Sequence, residues 1–213
     1  MKGDGTSMTN DRMGQRLEIT AVLIIAWISI GWGSSWEELK STTGTVNSVS
    51  AEFIQEKHMR ILVRPLVSSG VFYFQAPASL RWEYQKPLKN ILIMHGNRIE
   101  RYAVTEDGNV KESGGNLQAM QVVLEQISQW LGGRFDENPM FSAKLVPGSK
   151  IILAPKEEAF AKLIQRIELE LSQRAGVIDT VTIYETDESF TRLVFKNTVL
   201  NKPLNDALFR TLS

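Results

Sequence analysis

Apolar and polar side chains alternate through the middle of the chain in the manner of β-strands. Three short strands follow one another there, and two of them carry aromatic or leucine side chains at every second position: Phe72, Phe74, Leu80, Trp82 and Tyr84. Successive side chains of a strand point to opposite faces, so these residues predict one broad apolar face. The third strand contains the apolar run from Ile91 to Met94, which ends at a turn containing Gly96.

Further strands are predicted on both sides of this segment. One begins near Val49 and extends as far as Val63, and the others cover residues 98–104, 141–146, 150–154, 167–171, 177–185 and 190–196. A short helix is predicted from Trp36, and a helical turn near Phe160. Many strands with few helices predict an α+β fold, mainly β, in which one curved antiparallel sheet carries helices on one face.

One longer helix has a clear apolar stripe. It consists of Leu117, Met120, Leu124, Ile127 and Leu131, which recur at helical spacing, and Gly132-Gly133 follows the last of them. The stripe predicts a helix that lies with one face on the sheet.

The N-terminus has the layout of a signal peptide. Arg12 and Arg16 precede about a dozen apolar residues, and small residues follow from Gly33 to Ser35. The run is short for a membrane-spanning helix. We therefore expect residues 1–35 to be a secretory signal peptide and residues 36–213 a single domain. An uncleaved N-terminal anchor is the alternative, and Trp27 and Trp32 near the end of the run would suit a membrane interface.

Composition narrows the range of functions. Twenty-four basic and twenty-four acidic residues give a formal net charge of zero, which argues against nucleic acid as a partner. The chain has no cysteine, and its only histidines, His58 and His95, have no metal-ligand spacing. No nucleophile elbow, phosphate-binding loop or dinucleotide motif is present. We predict no enzymatic activity, no metal and no cofactor.

The aromatic face has two interpretations. Inward-facing aromatic residues on strands most often fill a core. The alternative is a cavity for an apolar ligand, which is favoured by Met120 on the amphipathic helix and by the predicted export of the chain.

The segment from Val49 to Tyr102 resembles the LolA family of periplasmic carriers of outer-membrane lipoproteins. The resemblance is carried by an ordered series of residues: Phe53, Gln55, Gly70, Pro77, Leu80, Trp82, Pro87, Ile91-Leu92-Ile93, Gly96 and Tyr102. After Val104 the chain is similar to the family only in architecture, with a lid-like helix, the sequence Leu-Ala-Pro at residues 153–155 and a late hairpin.

The resemblance implies a half-open antiparallel β-barrel whose helices cover a concave apolar face. That face would bind the acyl chains of a lipoprotein or related lipid through Phe53, Phe72, Phe74, Leu80, Trp82, Tyr84, Ile91 and Ile93, and the lid helix would carry Leu117, Met120, Leu124 and Ile127. The resemblance also implies a periplasmic monomer that receives cargo from an inner-membrane transporter and delivers it to an outer-membrane receptor.

One position departs from the family pattern. Main carriers of the family often have an arginine immediately before the proline of the second strand's turn, where it holds the empty cavity closed. Ala76 occupies that position and cannot donate hydrogen bonds from its side chain. The departure indicates a different closing mechanism, as in a divergent paralogue with a specialised cargo.

Two other functional classes are alternatives to a carrier. A related half-barrel that senses lipid and regulates a membrane partner is the main alternative. A lipid hydrolase or transferase is disfavoured, because the chain lacks a recognisable nucleophile and base.

Overall fold

The computed structural model describes residues 36–43, 46–96, 98–112, 126–131, 133–135 and 138–210. All of them belong to one compact unit, residues 33–213.

Eleven strands of the described chain form a single antiparallel sheet. Their bounds are β1 Ser48–His58, β2 Leu66–Gln75, β3 Ser79–Lys86, β4 Asn90–His95, β5 Arg98–Thr105, β6 Gly108–Lys111, β7 Phe141–Val146, β8 Lys150–Pro155, β9 Arg166–Leu171, β10 Ile178–Tyr184 and β11 Phe190–Leu200. The spatial order is β6-β5-β4-β3-β2-β1-β11-β10-β9-β8-β7. All neighbours but one are consecutive in the chain, and the exception joins the first strand to the last.

The pairing of β1 with β11 divides the sheet into two wings. Phe53 lies opposite Phe195, and His58 lies opposite Phe190. Strands β2 to β6 form one wing and β7 to β10 the other, and the two outermost strands, β6 and β7, do not pair with each other. The sheet is therefore an open antiparallel barrel, and the predicted α+β, mainly β fold class is confirmed.

Helices are few in the described chain. They are α1 at Trp36–Thr43, α2 at residues 126–131, α3 at Glu158–Ala161 and a 3₁₀-helix at Asp206–Phe209. None of the helices in these described ranges has the length and apolar character needed to cross a bilayer.

Most strand boundaries agree with the sequence patterns, with two informative differences. Strand β1 ends at His58 rather than Val63. Proline at position 65 cannot donate a ladder hydrogen bond, and residues 59–65 form a loop instead. Strand β6 was not predicted. It is a short, fully exposed edge strand with no buried face, so it has no apolar alternation to detect.

The main hydrophobic core lies on one face of the sheet and receives side chains from both wings. Phe72, Trp82 and Leu92 come from one wing, and Ile151, Leu169 and other residues come from the second wing. A smaller cluster of Ile91, Ile93 and Tyr102 lies on the other face. There the 3₁₀-helix packs beside β3 and β4, and Arg81 Nη1 donates a hydrogen bond of 3.3 Å to Leu208 O.

Candidate functional site

A cavity of about 710 Å³ opens between the two wings on the side of the main core. Its volume falls within the range of small-molecule sites, roughly 300–1,000 Å³. The walls are largely aliphatic and aromatic. The central strands contribute Val49, Ala51, Leu193 and Phe195, the first wing contributes Phe72, Trp82, Tyr84 and Leu92, and the second wing contributes Ile178, Val181 and Ile183.

Aromatic rings pack closely along the wall formed by β1, β2, β3 and β11. The ring centroids of Phe53 and Trp82 are 4.9 Å apart, and those of Phe72 and Trp82 are 5.2 Å apart. Phe195 joins the cluster from β11, 5.9 Å from Phe72. Tilted and edge-on contacts of this kind stabilise an aromatic wall beyond the burial of its area.

Tyr84 brings a polar group to this wall. Its hydroxyl donates a hydrogen bond of 2.8 Å to Oε1 of Gln55, which also lines the cavity. Burial raises the pKa of Tyr84 to about 12, although Arg101 and the Trp82 indole act in the opposite direction. The hydroxyl therefore stays protonated at neutral pH and remains a donor.

One indole N–H group of the cavity wall lacks an acceptor among the described residues. Trp130 is 1% exposed, and its Nε1 makes no hydrogen bond with any described group. A buried donor without a partner is costly. A ligand that carries a carbonyl oxygen could satisfy this donor, whereas a plain hydrocarbon could not.

Helix α2 covers part of the cavity. Ile127, Trp130 and Leu131 line it from this helix. The helix ends in a Schellman arrangement, in which Gly133 N–H donates to Trp130 O and Arg134 N–H donates to Gln129 O. The predicted end of the helix at Gly132-Gly133 agrees with this geometry.

Asn138 ties α2 to the sheet. Its Oδ1 accepts hydrogen bonds from the backbone N–H groups of Met140 and Phe141, at 2.8 and 3.0 Å. Its Nδ2 donates to the side chains of Gln126 and Gln129. The residue is 1% exposed. No sequence pattern singled out Asn138, because an asparagine outside a helix or strand is typical of a surface turn.

The cavity reaches the surface beside α3 and the turn between β10 and β11. Lys162, Leu163, Glu185 and Thr186 line this part, and Glu185 forms an ion pair with Lys57. Phe160 of α3 packs edge-on against Phe141, with 5.5 Å between the ring centroids.

The predicted cavity and lid residues other than Ile91 and Ile93 fall into three groups. Phe72, Trp82, Tyr84 and the predicted lid residue Ile127 line the cavity. Phe53, Phe74 and Leu80 belong to the same core cluster but are not among the lining residues. Leu117, Met120 and Leu124 lie outside the described residues.

Ile91 and Ile93 require a correction. The pairing of β3 with β4 places Leu92 opposite Trp82 and Ile91 opposite Glu83. Directly paired residues share a face, so Leu92 lines the cavity, whereas Ile91 and Ile93 lie in the small cluster on the other face. All four residues from 91 to 94 are buried, and a continuous apolar run does not reveal which alternate set faces the cavity.

The second wing and β11 supply cavity residues that sequence reasoning missed. Ile178, Val181 and Ile183 on β10, and Leu193 and Phe195 on β11, face the cavity. Their alternation is visible in the sequence. The sequence does not reveal that β11 pairs with β1, and this pairing is what brings these residues to the aromatic face.

The remaining candidates occupy peripheral positions. His58 stacks on Phe190 with ring centroids 4.3 Å apart, and Nδ1 of His95 lies 2.9 Å from Oγ of Ser79. Ala76 is exposed in the turn between β2 and β3, where its N–H donates to Asn47 O. Within the described ranges, acidic and histidine side chains form no group of three or more that could hold a metal ion.

The described chain thus forms an open antiparallel barrel with an apolar cavity between its wings, which α2 partly covers. The family model described as outer membrane lipoprotein carrier protein LolA matches residues 44–211. The chain therefore belongs to the LolA family, as the sequence resemblance indicated. An outer-membrane lipoprotein carrier protein of Methylococcus capsulatus is 27% identical over 182 residues, which cover 81% of this chain and 80% of that protein.

Solved structures with similar folds are more distant. A DUF1329 family protein from Desulfovibrio piger is 12% identical with a TM-score of 0.46, and the match covers 84% of this chain and 95% of that one. The Pseudomonas aeruginosa MucA/MucB complex matches at 14% identity and a TM-score of 0.48, over 84% of this chain and 61% of that one. A LolA superfamily protein from Nitrosomonas europaea is 8% identical with a TM-score of 0.42, over 83% and 96%.

Proposed function

We propose that this protein is a periplasmic carrier that shelters the acyl chains of lipoproteins, or of a related lipid, in the cavity between its two wings. The observation that carries the proposal is the cavity of about 710 Å³ with aliphatic and aromatic walls in a chain of the LolA family. No covalent step is needed. Cargo leaves by transfer to a site that binds it more tightly.

The chemistry of the cavity suits acyl chains. Each methylene group withdrawn from water contributes about 0.8 kcal/mol, so a single long chain is strongly driven into such a space. The hydrophobic effect is not directional, and a cavity of this kind accepts chains of different structure. The indole N–H group of Trp130 suits the ester or amide carbonyls that join acyl chains to their head group.

The proposed route runs from the inner to the outer membrane. An inner-membrane transporter would supply the cargo and an outer-membrane receptor would accept it, with the carrier acting as a monomer. Residues 1–35 would direct export, and N-terminal sequencing of protein recovered from a Gram-negative host tests this. A mature chain that begins near Gly33 to Ser35 supports export, and an intact N-terminus contradicts cleavage.

A pair of neighbouring substitutions tests the cavity. Phe195 lines it from β11, whereas Val194 is also half-buried but points to the opposite face. Phe195→Glu places a carboxylate among apolar walls and should reduce bound acylated lipid at least tenfold. Val194→Glu introduces the same charge outside the cavity, and this variant should retain the bound lipid. Native mass spectrometry of the full chain, purified without detergent, measures the bound species.

The thermal unfolding of both variants is measured beside the lipid content, so that loss of folding is separated from loss of binding. Equal lipid content in two folded variants would contradict the cavity proposal. A wild-type protein that carries no lipid and takes up none would indicate that the apolar wall is only core, and the regulatory alternative would then gain support.

A further inference from the structure

Exposed apolar side chains of this molecule gather at one end of the sheet. Antiparallel alternation brings the β1–β2 loop, the β3–β4 and β10–β11 turns and α3 to the same end, which we call the loop end. Among the described residues, the large apolar side chains that are exposed to solvent lie at or next to this end: Ile61, Leu62, Val63, Leu66, Val67, Leu88, Val110 and Leu163. In the described turns of the opposite end, no large apolar side chain is exposed in this way.

The β1–β2 loop carries the most strongly exposed of these apolar side chains. Ile61 is 78% exposed and Val63 is fully exposed, with Leu62 between them. The loop contains a turn, in which Leu62 N–H donates a hydrogen bond of 2.9 Å to Met59 O. We call Ile61, Leu62 and Val63 the apolar tip. Three successive apolar residues at a loop tip are unusual on a free surface, where turns are normally polar.

Basic residues lie on the loop that carries the apolar tip and on the neighbouring turn. Arg60 and Arg64 flank it directly in the chain. The β3–β4 turn, which adjoins the start of β2, adds Lys86 and Lys89 on either side of Leu88, itself 76% exposed. Arg64, Lys86 and Lys89 form no ion pair with any described acidic group.

The acidic residues at this end are largely neutralised or lie to one side. Lys57 pairs with Glu185, Arg166 with Asp187 at 3.2 Å and Arg60 with Glu188 at 3.7 Å. Glu106 and Asp107 belong to the β5–β6 turn at the outer edge of the sheet. Glu157 and Glu158 belong to the α3 segment of the second wing, where Glu158 lies 3.9 Å from Lys162, and Glu56 lies 3.3 Å from His58. On the loop that carries the apolar tip and on the neighbouring β3–β4 turn, Arg64, Lys86 and Lys89 therefore leave a positive excess.

The cavity opens at the same end. Leu163 is 61% exposed and also lines the cavity, together with the neighbouring Lys162. Any surface to which the loop end binds would therefore face the opening of the cavity.

We propose that the loop end docks on an anionic lipid bilayer, with the apolar tip inserted among the head groups and Arg64, Lys86 and Lys89 paired with lipid phosphates. The exposed apolar residues are on a loop and on turns, not in a groove, and cations are interspersed among them. This is the arrangement by which peripheral proteins bind an interface. The proposal goes beyond the carrier function and does not depend on what the cavity holds.

The absence of cysteine from the chain makes a direct test possible. Val63→Cys in the full chain allows an environment-sensitive fluorophore to be attached at the apolar tip. Lys202→Cys places the same probe on an exposed residue at the opposite end. Both proteins are mixed with vesicles of phosphatidylethanolamine and phosphatidylglycerol, or with vesicles of phosphatidylcholine alone.

We expect the emission of the probe at position 63 to shift to shorter wavelength with the anionic vesicles, and the probe at position 202 to remain unchanged. Adding Arg64→Glu to the Val63→Cys protein should weaken vesicle binding by about tenfold or more. The substitution reverses one charge and so changes the net charge beside the lipid surface by two units. The matched change Lys202→Glu should leave vesicle binding unaltered.

Two outcomes would overturn the proposal. Equal shifts at positions 63 and 202 would mean non-specific adsorption. A probe at position 63 that stays in water with both kinds of vesicle would mean that the apolar tip does not meet a bilayer, even if the protein floats with vesicles through its N-terminal apolar run. A protein partner would then be the occupant to seek.

Discussion

Gly70 lies where strands β2 and β3 approach most closely. A Cβ atom at this position would overlap the carbonyl oxygen of Glu83 and lie 2.9 Å from Tyr84 Cα. The register of β2 on β3 shifts at the same point, between Ser69 and Gly70. The absence of a side chain at Gly70 thus lets the two strands pair closely at the register shift.

Gly70→Ala should lower the free energy of unfolding by about 3 kcal/mol, near the upper end of overpacking costs, because the obstructing atoms are backbone and cannot rotate away. Gly96→Ala is the matched control. Nothing lies within 4 Å of its Cβ position, and the expected cost of about 1 kcal/mol comes only from its φ of 59°. Chemical denaturation measures both. Similar losses in the two variants would contradict the close approach at Gly70.

Position 92 shows what a residue pattern leaves undecided. The alternation in β3 correctly predicted that Leu80, Trp82 and Tyr84 share a face and that Arg81 takes the other. In β4 every residue from Ile91 to Met94 is apolar, and both faces of that strand are covered. Only the pairing of Leu92 with Trp82 identifies the residue that faces the cavity.

At the scale of an element, strand β9 has one face buried in the core and one face that carries charged side chains. Ile167 and Leu169 are fully buried in the core. Glu168 points to the other face, where Arg166 and Lys150 donate hydrogen bonds of 2.9 and 3.1 Å to its carboxylate. Burial alone would raise the pKa of Glu168, but these two cations outweigh it and hold the pKa below its usual value.

The lowered pKa of Glu168 gives a pH dependence with a defined sign. The carboxylate stabilises the fold above the pKa of an unfolded glutamate, and the contribution is lost as the pH falls through the lower folded value. Glu168→Gln should therefore reduce the free energy of unfolding at neutral pH, by about 1 kcal/mol or less as for a partly exposed ion pair. It should also flatten the loss of stability below about pH 4.5.

Denaturation curves at several pH values check this, with Glu170→Gln as the control. Glu170 lies on the same face, is more exposed and is 3.5 Å from Lys150. Its replacement should have the smaller effect. If Glu168→Gln keeps the full acid dependence of the wild type, the interaction with Arg166 and Lys150 does not contribute to stability.

Elements with a regular pattern were predictable, and elements that depend on distant partners were not. The hairpin of β7 and β8 and the turn that precedes β9 follow from local alternation and turn residues. Asn138 could not be recognised, because its role depends on Gln126 and Gln129, which approach it only when α2 lies over the sheet.

At the scale of the whole molecule, one long-range contact creates the cavity. Strand β1 lies near the beginning of the described chain and β11 near its end. Their pairing brings the two wings side by side. Local sequence patterns indicate where strands lie but not which distant strands pair, because pairing is decided by the packing of the complete core. Of the cavity residues, Phe72, Trp82 and Tyr84 on the first wing were therefore named from the sequence, whereas those on the second wing were not.

The joint cavity makes a quantitative prediction about ligand size. If acyl chains enter the space between the wings, each added methylene group should strengthen binding about fourfold, the equivalent of about 0.8 kcal/mol, until the cavity is filled. A series of lysophosphatidylglycerols of increasing chain length, with affinity measured by calorimetry below the micelle concentration, gives this slope. Phe195→Glu should flatten it, whereas Val194→Glu should preserve it. An affinity that does not change with chain length would mean that the head group is recognised on the surface, because only burial between the wings depends on the number of methylene groups.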